Sequence, residues 1–242
     1  MTSKANSPES STPESKPPES ARASDRYRAA ILDMDGTLID SNDAHVKAWV
    51  EVLREFGHEV SDEDIRPWIG MGGDNLLPAA MKISKDSPEG KKIAERRGEI
   101  FKSRYLPHLK PFPEVRSLLE RMKQDGLRLV IATSSPDDEL KKTIEIVGIR
   151  DLLEDTTSAS DAARSKPDPD VIHAALDGLK LPAGEAVMLG DTPYDIQAAG
   201  KAGVGVIAFR SGGFRDEDLK GALAIYDGAA DLLAHYDESP LG

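Results

Sequence analysis

The sequence predicts an α/β protein, a doubly wound parallel sheet interrupted after its first strand by an all-helical insert. Three observations carry this. From Pro113 onward, short apolar runs alternate with stretches of helical period, the pattern of parallel strands joined by crossover helices. One more apolar run, Arg28 to Leu32, stands alone far upstream. Between the two, residues 41–110 show helical periodicity and no convincing strand.

Composition bounds what such a chain can do. At 242 residues and 39% hydrophobic, it can bury one sizeable core, or a core with a small second domain. A formal net charge of -12 argues against nucleic acid as a general partner, because phosphate backbones attract stripes of Lys and Arg. An anionic substrate would need a locally positive site inside a negative field. The chain contains no cysteine, which excludes thiol chemistry, disulfides and Cys-based zinc sites. No apolar run approaches the ~18 residues of a membrane span, and the N-terminus lacks the apolar core of a secretory signal. The expectation is a soluble cytoplasmic monomer.

Taken in order, residues 1–26 are rich in Ser, Pro, Glu and Lys and nearly devoid of large apolar groups, so they are expected to form a disordered tail. Residues 27–40 hold the first strand. A helix is expected from Asp43 to Phe56, where Trp49, Val52, Leu53 and Phe56 share one face and Gly57 stops it. Further helices are expected from Ser61 to Trp68, Asp74 to Met81 and Pro88 to Leu106, with Gly70-Met71-Gly72-Gly73 as a flexible loop between two of them. Pro111-Phe112-Pro113 marks the return to the α/β region, which occupies residues 111–242. There, a helix with Pro113 in its first turn ends before Gly126. Strands are expected at Leu127–Ala132, Ala186–Leu189 and Val204–Phe209, with short ones at 152–158 and Ala222–Tyr226. The helices between them are Asp137–Val147, Asp168–Leu179 and Pro193–Lys201, and a closing helix surrounds Asp231.

The chemistry gathers at strand ends, which in a parallel sheet share one edge. The first strand delivers Asp33 and Asp35, one residue apart, ahead of a Gly36-Thr37 turn. In extended chain both carboxylates face the same side. Two such charges are costly together unless a cation or a shared proton separates them, and a hard cation such as Mg2+ suits them. The second strand ends in Thr133-Ser134-Ser135. Lys166-Pro167-Asp168-Pro169 opens a helix, and the fourth point is Gly190-Asp191-Thr192-Pro193-Tyr194-Asp195. Carboxylates, a hydroxyl and an ammonium in one crevice suit phosphoryl transfer: a carboxylate can serve as nucleophile, a divalent cation offsets its repulsion from phosphate, and Lys and hydroxyl donors hold the phosphoryl oxygens.

On these motifs the chain resembles the haloacid dehalogenase-like (HAD) hydrolases, in the subgroup with a helical cap after the first strand, over about residues 28–236. The resemblance implies a Rossmann-like core and a cap at residues 41–110. It also implies Mg2+-dependent hydrolysis of a small phosphorylated metabolite, of phosphoglycolate or sugar-phosphate type, through an aspartyl-phosphate. It assigns Asp33 as nucleophile and metal ligand. Asp35 becomes general acid and then base, with its backbone carbonyl on the metal. Thr133 and the Ser134 amide hold phosphate, Lys166 bridges nucleophile and phosphate, Asp191 ligates metal, and Asp195 stands outside the ligand shell. In the cap it points to His45 and to the loop containing Gly72 as substrate contacts. A packed or capping role for His45, and a plain helix connection for the loop, remain open alternatives.

Departures from relatives narrow the branch. A hexose-phosphate mutase of β-phosphoglucomutase type needs a cap arginine where Gly73 stands, and the dehalogenase and phosphonate-cleaving branches lack an equivalent of Asp35. A phosphatase is favoured, with a β-phosphoglucomutase-like phosphomutase and a non-catalytic binding protein on the same scaffold as alternatives.

Overall fold

The computed structural model describes residues 27–242, so the expectation for residues 1–26 lies outside it. Six parallel strands form one sheet in the order β3-β2-β1-β4-β5-β6. They are β1 (Ala29–Leu32), β2 (Arg128–Ala132), β3 (Asp155–Thr157), β4 (Ala186–Gly190), β5 (Gly205–Phe209) and β6 (Ala224–Tyr226). The central strands β1, β2 and β4 are apolar and buried on both faces, as a parallel sheet covered by helices requires. Alternate residues divide between two cores. Ala30 and Leu32 pack with α5 (Val115–Gln124), α6 (Asp137–Val147) and α9 (Ala229–Ala234). Ala29 and Ile31 pack with α7 (Asp170–Leu179) and α8 (Pro193–Ala202) on the opposite face. The winding reverses at β1 and β4, which pair in register from Ala29↔Ala186 to Leu32↔Leu189. A crevice opens at such a reversal beyond the carboxyl ends of the strands.

Between β1 and α5 the chain forms α1 (Asn42–Glu55), α2 (Asp62–Ile65), α3 (Gly73–Met81) and α4 (Pro88–Ile100). These helices enclose their own apolar cluster, centred on Trp49, Leu53, Ile65, Leu76, Ile93 and Phe101. The two connections to the sheet run side by side. Asp40 N donates to Lys110 O, and Phe112 N donates to Leu38 O, at 2.9 and 3.1 Å.

Among the boundaries that differ from the sequence expectation, three bear on how the insert and the site loop are placed. Pro113 lies ahead of α5 rather than in its first turn, because Glu114 takes a left-handed conformation (φ 58°) and the helix starts at Val115. The helix expected to run to Leu106 changes at Phe101 into a π-helical turn through Tyr105, so α4 ends at Ile100. The first turn expected at Asp168 is not helical; α7 starts at Asp170, because Pro169 disfavours helical backbone at the residue before it.

Candidate active site

Asp33 follows β1 directly, and its N–H continues the ladder to Leu189 O at 3.0 Å. Gly36 (φ 77°) then turns the chain sharply, so that Gly36 N returns to Ile39 O. Across the reversal, β4 ends at Gly190 and delivers Asp191. Thr192 and Asp195 close a capping box that starts α8 and points the Asp195 carboxylate inward. Lys166 arrives from the loop before α7.

Asp33, Asp191 and Asp195 are buried with carboxylate oxygens within 4.8 Å of one another. Lys166 Nζ lies among them, 2.5 Å from Asp33 Oδ1 and 2.7 Å from Asp195 Oδ1. Asp191 accepts from Thr37 Oγ1 at 2.7 Å and from Asn42 Nδ2 at 3.0 Å. Three buried carboxylates cluster with one ammonium, which bonds to Asp33 and Asp195, and the electrostatics follow. Burial pushes the Asp33 carboxyl up to about 7, with Lys166 pulling against it. Burial, then the charges of Asp195 and Asp33, push Asp191 well above the usual carboxylate range. Burial acts to lower the Lys166 ammonium, but Asp195 and Asp33 outweigh it and hold the group charged. An all-oxygen, negatively charged and buried donor set of this kind fits a hard divalent cation. Asp195, expected as an outer-shell group or a first-turn helix charge, caps α8, accepts from Lys166, and has a carboxylate oxygen within the same cluster as Asp33 and Asp191.

Asp35 has a different environment. Its Oδ1 accepts from Ser41 Oγ at 2.7 Å and from His45 Nε2 at 2.9 Å, and its Oδ2 accepts from Ser135 Oγ at 2.6 Å. Burial alone would raise this carboxyl, but His45 and the two hydroxyls hold it well below the usual range. The two neighbouring carboxylates are thus held by different surroundings, Asp33 by the Lys166 ammonium and Asp35 by His45 and two hydroxyls.

Thr133 and Ser134 line the same cleft. Thr133 Oγ1 accepts from Ser135 N at 3.1 Å, and Ser134 Oγ accepts from Lys166 N at 3.2 Å, so these side chains also brace the loop. Gly72 lies on the opposite wall, where an added Cβ would collide with the Ser165 side chain. The cavity encloses about 390 Å3 between the sheet edge and α1, α3 and α4, with Trp49, Met71, Ala94 and Pro136 as apolar walls.

His45, expected either to contact substrate or to pack or cap within the protein, lies on the cavity wall. The structure turns it to Asp35, stacks its ring on Phe101 at 4.2 Å, and brings Arg97 to its Nδ1, so both ring nitrogens have protein partners. Sequence reasoning also missed Ser41, Asn42, Ser135, Arg97 and Glu139. Ser135 sits in a hydroxyl run that could have drawn attention; Arg97 and Glu139 lie on charged helix faces and give no such signal.

Residues 30–209 match a family described as Haloacid dehalogenase-like hydrolase. A relative named as a pyrophosphatase, PpaX, from Caldanaerobacter subterraneus subsp. tengcongensis is 31% identical over 187 residues, covering 76% of this chain and 82% of that one. The phosphoglycolate phosphatase of Rhodospirillum rubrum is 30% identical over 214 residues, 85% of this chain and 89% of its own. Among solved structures, a hydrolase from Pseudomonas syringae superposes with a TM-score of 0.81 at 29% identity, over 87% of this chain and 98% of that one.

Proposed function

The chain belongs to the haloacid dehalogenase-like hydrolase family, and from that premise we propose that it is a Mg2+-dependent phosphatase of a small phosphorylated metabolite, with Asp33 as nucleophile. The observation that carries this reading is the buried Asp33–Lys166–Asp195–Asp191 cluster at the winding reversal, beside an Asp35 held by three donors. Asp33 and Asp191 would hold the cation, with the Asp35 carbonyl as the family resemblance implies and Asp195 within reach. Bound there, Mg2+ supplies positive charge that offsets the repulsion between nucleophile and phosphate.

The side chains do the rest. An Asp33 oxygen attacks phosphorus while the bond to the leaving oxygen breaks, giving an acyl phosphate. Lys166 keeps Asp33 oriented and balances charge on the phosphoryl oxygens, and Thr133 with the Ser134 amide takes further phosphate oxygens. Asp35 gives a proton to the leaving oxygen, then takes one from the water that attacks the acyl phosphate. The donors around Asp35 favour its carboxylate, the form needed to take that proton. An anionic substrate arriving beside it raises its proton affinity and so favours the first step. Residues 41–110 act as a cap whose seating over the cleft keeps bulk water out.

Relatives named for phosphoglycolate and for pyrophosphate favour a small, strongly anionic substrate. Phosphate release should be scored over a panel of phosphorylated metabolites, with Mg2+ and with EDTA. The Asp33→Asn variant should fold as the parent does and release phosphate from none of them. Near-parental turnover in that variant would refute the reading.

A further inference from the structure

A line of polar side chains leads from the proposed reaction centre to a core helix that carries none of the motifs. His45 Nε2 meets Asp35 Oδ1 at 2.9 Å, Arg97 meets His45 Nδ1, and Arg97 reaches both carboxylate oxygens of Glu139 at 3.0 Å. Arginine can only donate, so Nδ1 is an acceptor and the ring proton sits on Nε2, aimed at Asp35. Phe101 fixes the plane of this arrangement: the imidazole stacks on it, and the Arg97 guanidinium lies 4.6 Å from the same ring.

The pair bridges two parts of the molecule. Arg97 belongs to α4 of the helical insert, and Glu139 to the first turn of α6 in the sheet core. Glu139 is 2% exposed, and among the described residues its carboxylate hydrogen-bonds to Arg97 alone. Arg97 Nε is buried without a hydrogen-bond partner among the described residues. A buried donor left unmatched calls for a reason. Here the guanidinium is placed where it serves His45 and Glu139 rather than its own full complement of bonds.

We propose that Arg97 and Glu139 are positioning residues, a strut between insert and core that fixes the tautomer and direction of His45, and through it Asp35, when the insert is seated. The inference rests on the reading that Asp35 passes a proton to the leaving group. A displaced His45 weakens that transfer while leaving the attack by Asp33 in place. Proton donation matters most when the leaving oxygen is strongly basic, as in an alkyl phosphate, and least for para-nitrophenolate.

The test is steady-state kinetics with Mg2+ on glycerol phosphate and on para-nitrophenyl phosphate, using the parent, Glu139→Gln, Arg97→Met and Arg97→Lys. The kcat loss of Glu139→Gln and Arg97→Met should be about tenfold or more greater on the alkyl than on the aryl substrate. KM should change alike on the two. Arg97→Lys, which keeps a donor in place, should recover part of the alkyl rate. A role in packing alone lowers both rates in proportion, so equal losses, or none, would overturn the strut. Should a single variant fold poorly, the double variant Arg97→Met with Glu139→Leu replaces the ion pair by apolar groups of similar volume and should keep the fold. A selective alkyl loss there supports the strut, and a proportional one refutes it. A parent that releases phosphate from neither substrate nor any of the metabolite panel would refute the phosphatase reading and the strut with it, whereas an active parent with unselective variants refutes the strut alone.

Discussion

Asp33 is a carboxylate placed where burial disfavours its charge, and Lys166 is the side chain that keeps it usable. Around this pair the smallest residues matter as much as the charged ones. Gly36 takes φ 77°, and an added Cβ would run into Asp191 Oδ2 and Asn42 Nδ2. Gly36→Ala should therefore cost about 1–3 kcal/mol of stability, from the left-handed backbone and the displaced side chains. Because Asp191 must move, phosphate release should fall roughly a hundredfold, more than the lost stability explains. Thermal melts beside phosphate assays check this, and an active, normally stable variant would contradict it. At this scale the sequence was informative. Asp33, Asp35, Lys166 and Asp191 stand out by type and spacing, since each follows or faces the end of an apolar run. Asp195 was harder to place: a carboxylate in the first turn of a helix has an ordinary capping role, and only the fold shows that it both caps α8 and holds Lys166.

At the scale of elements, the start of α3 is clasped to the Lys166 loop. Asn75 Nδ2 donates to Ser165 O at 2.8 Å and to Lys166 O at 3.2 Å, and Ser165 N donates to Asp74 Oδ2 at 3.1 Å. Gly72 lets the backbone come this close, because a side chain there would strike Ser165. On the neighbouring edge, Tyr194 Oη donates to Pro67 O at 2.6 Å. Removing the amide in Asn75→Ala should weaken the seating of the insert by about 1–2 kcal/mol. KM should then rise by up to about tenfold, with a smaller change in kcat. An unchanged KM would show that this clasp does not bear on substrate binding. The positions of α1 and α3 were legible from apolar spacing. The clasp was not, because Asn75 and the Ser165 carbonyl are 90 positions apart and nothing in either segment signals the other. The same holds for Pro113, where the sequence favours a helix start and the left-handed Glu114 delays it.

Across the whole molecule, an acidic chain gathers three buried carboxylates around a single buried ammonium in one cluster. The sign of its pH dependence follows. Asp33 is raised from its ordinary 3.8 to about 7, and Asp191 is raised as well. The native state therefore keeps protons that the unfolded chain gives up, and this contribution to stability falls as pH climbs from about 4 to 7. Above that window the ionised carboxylates repel one another, and a divalent cation relieves them. Mg2+ should raise the melting temperature more at about pH 8 than at about pH 5, where protons compete for the same oxygens. Scanning calorimetry at the two pH values decides it, and an equal gain at both would count against the cluster as a cation site. The described residues include no helix long and apolar enough to cross a membrane.

The sequence by itself determined the layered α/β architecture, the helical insert after β1 and the side chains gathered at the sheet edge. Each of these is written in local patterns: apolar runs of strand length, helical periodicity, and polar residues immediately after strands. The tertiary structure alone decided that His45, on the cavity wall, hydrogen-bonds to Asp35, that Asp195 joins the carboxylate cluster, and that Arg97 and Glu139 tie the insert to the core. Those contacts join segments between ten and more than a hundred residues apart. Their geometry depends on how helices dock against a sheet, and no single segment encodes that docking.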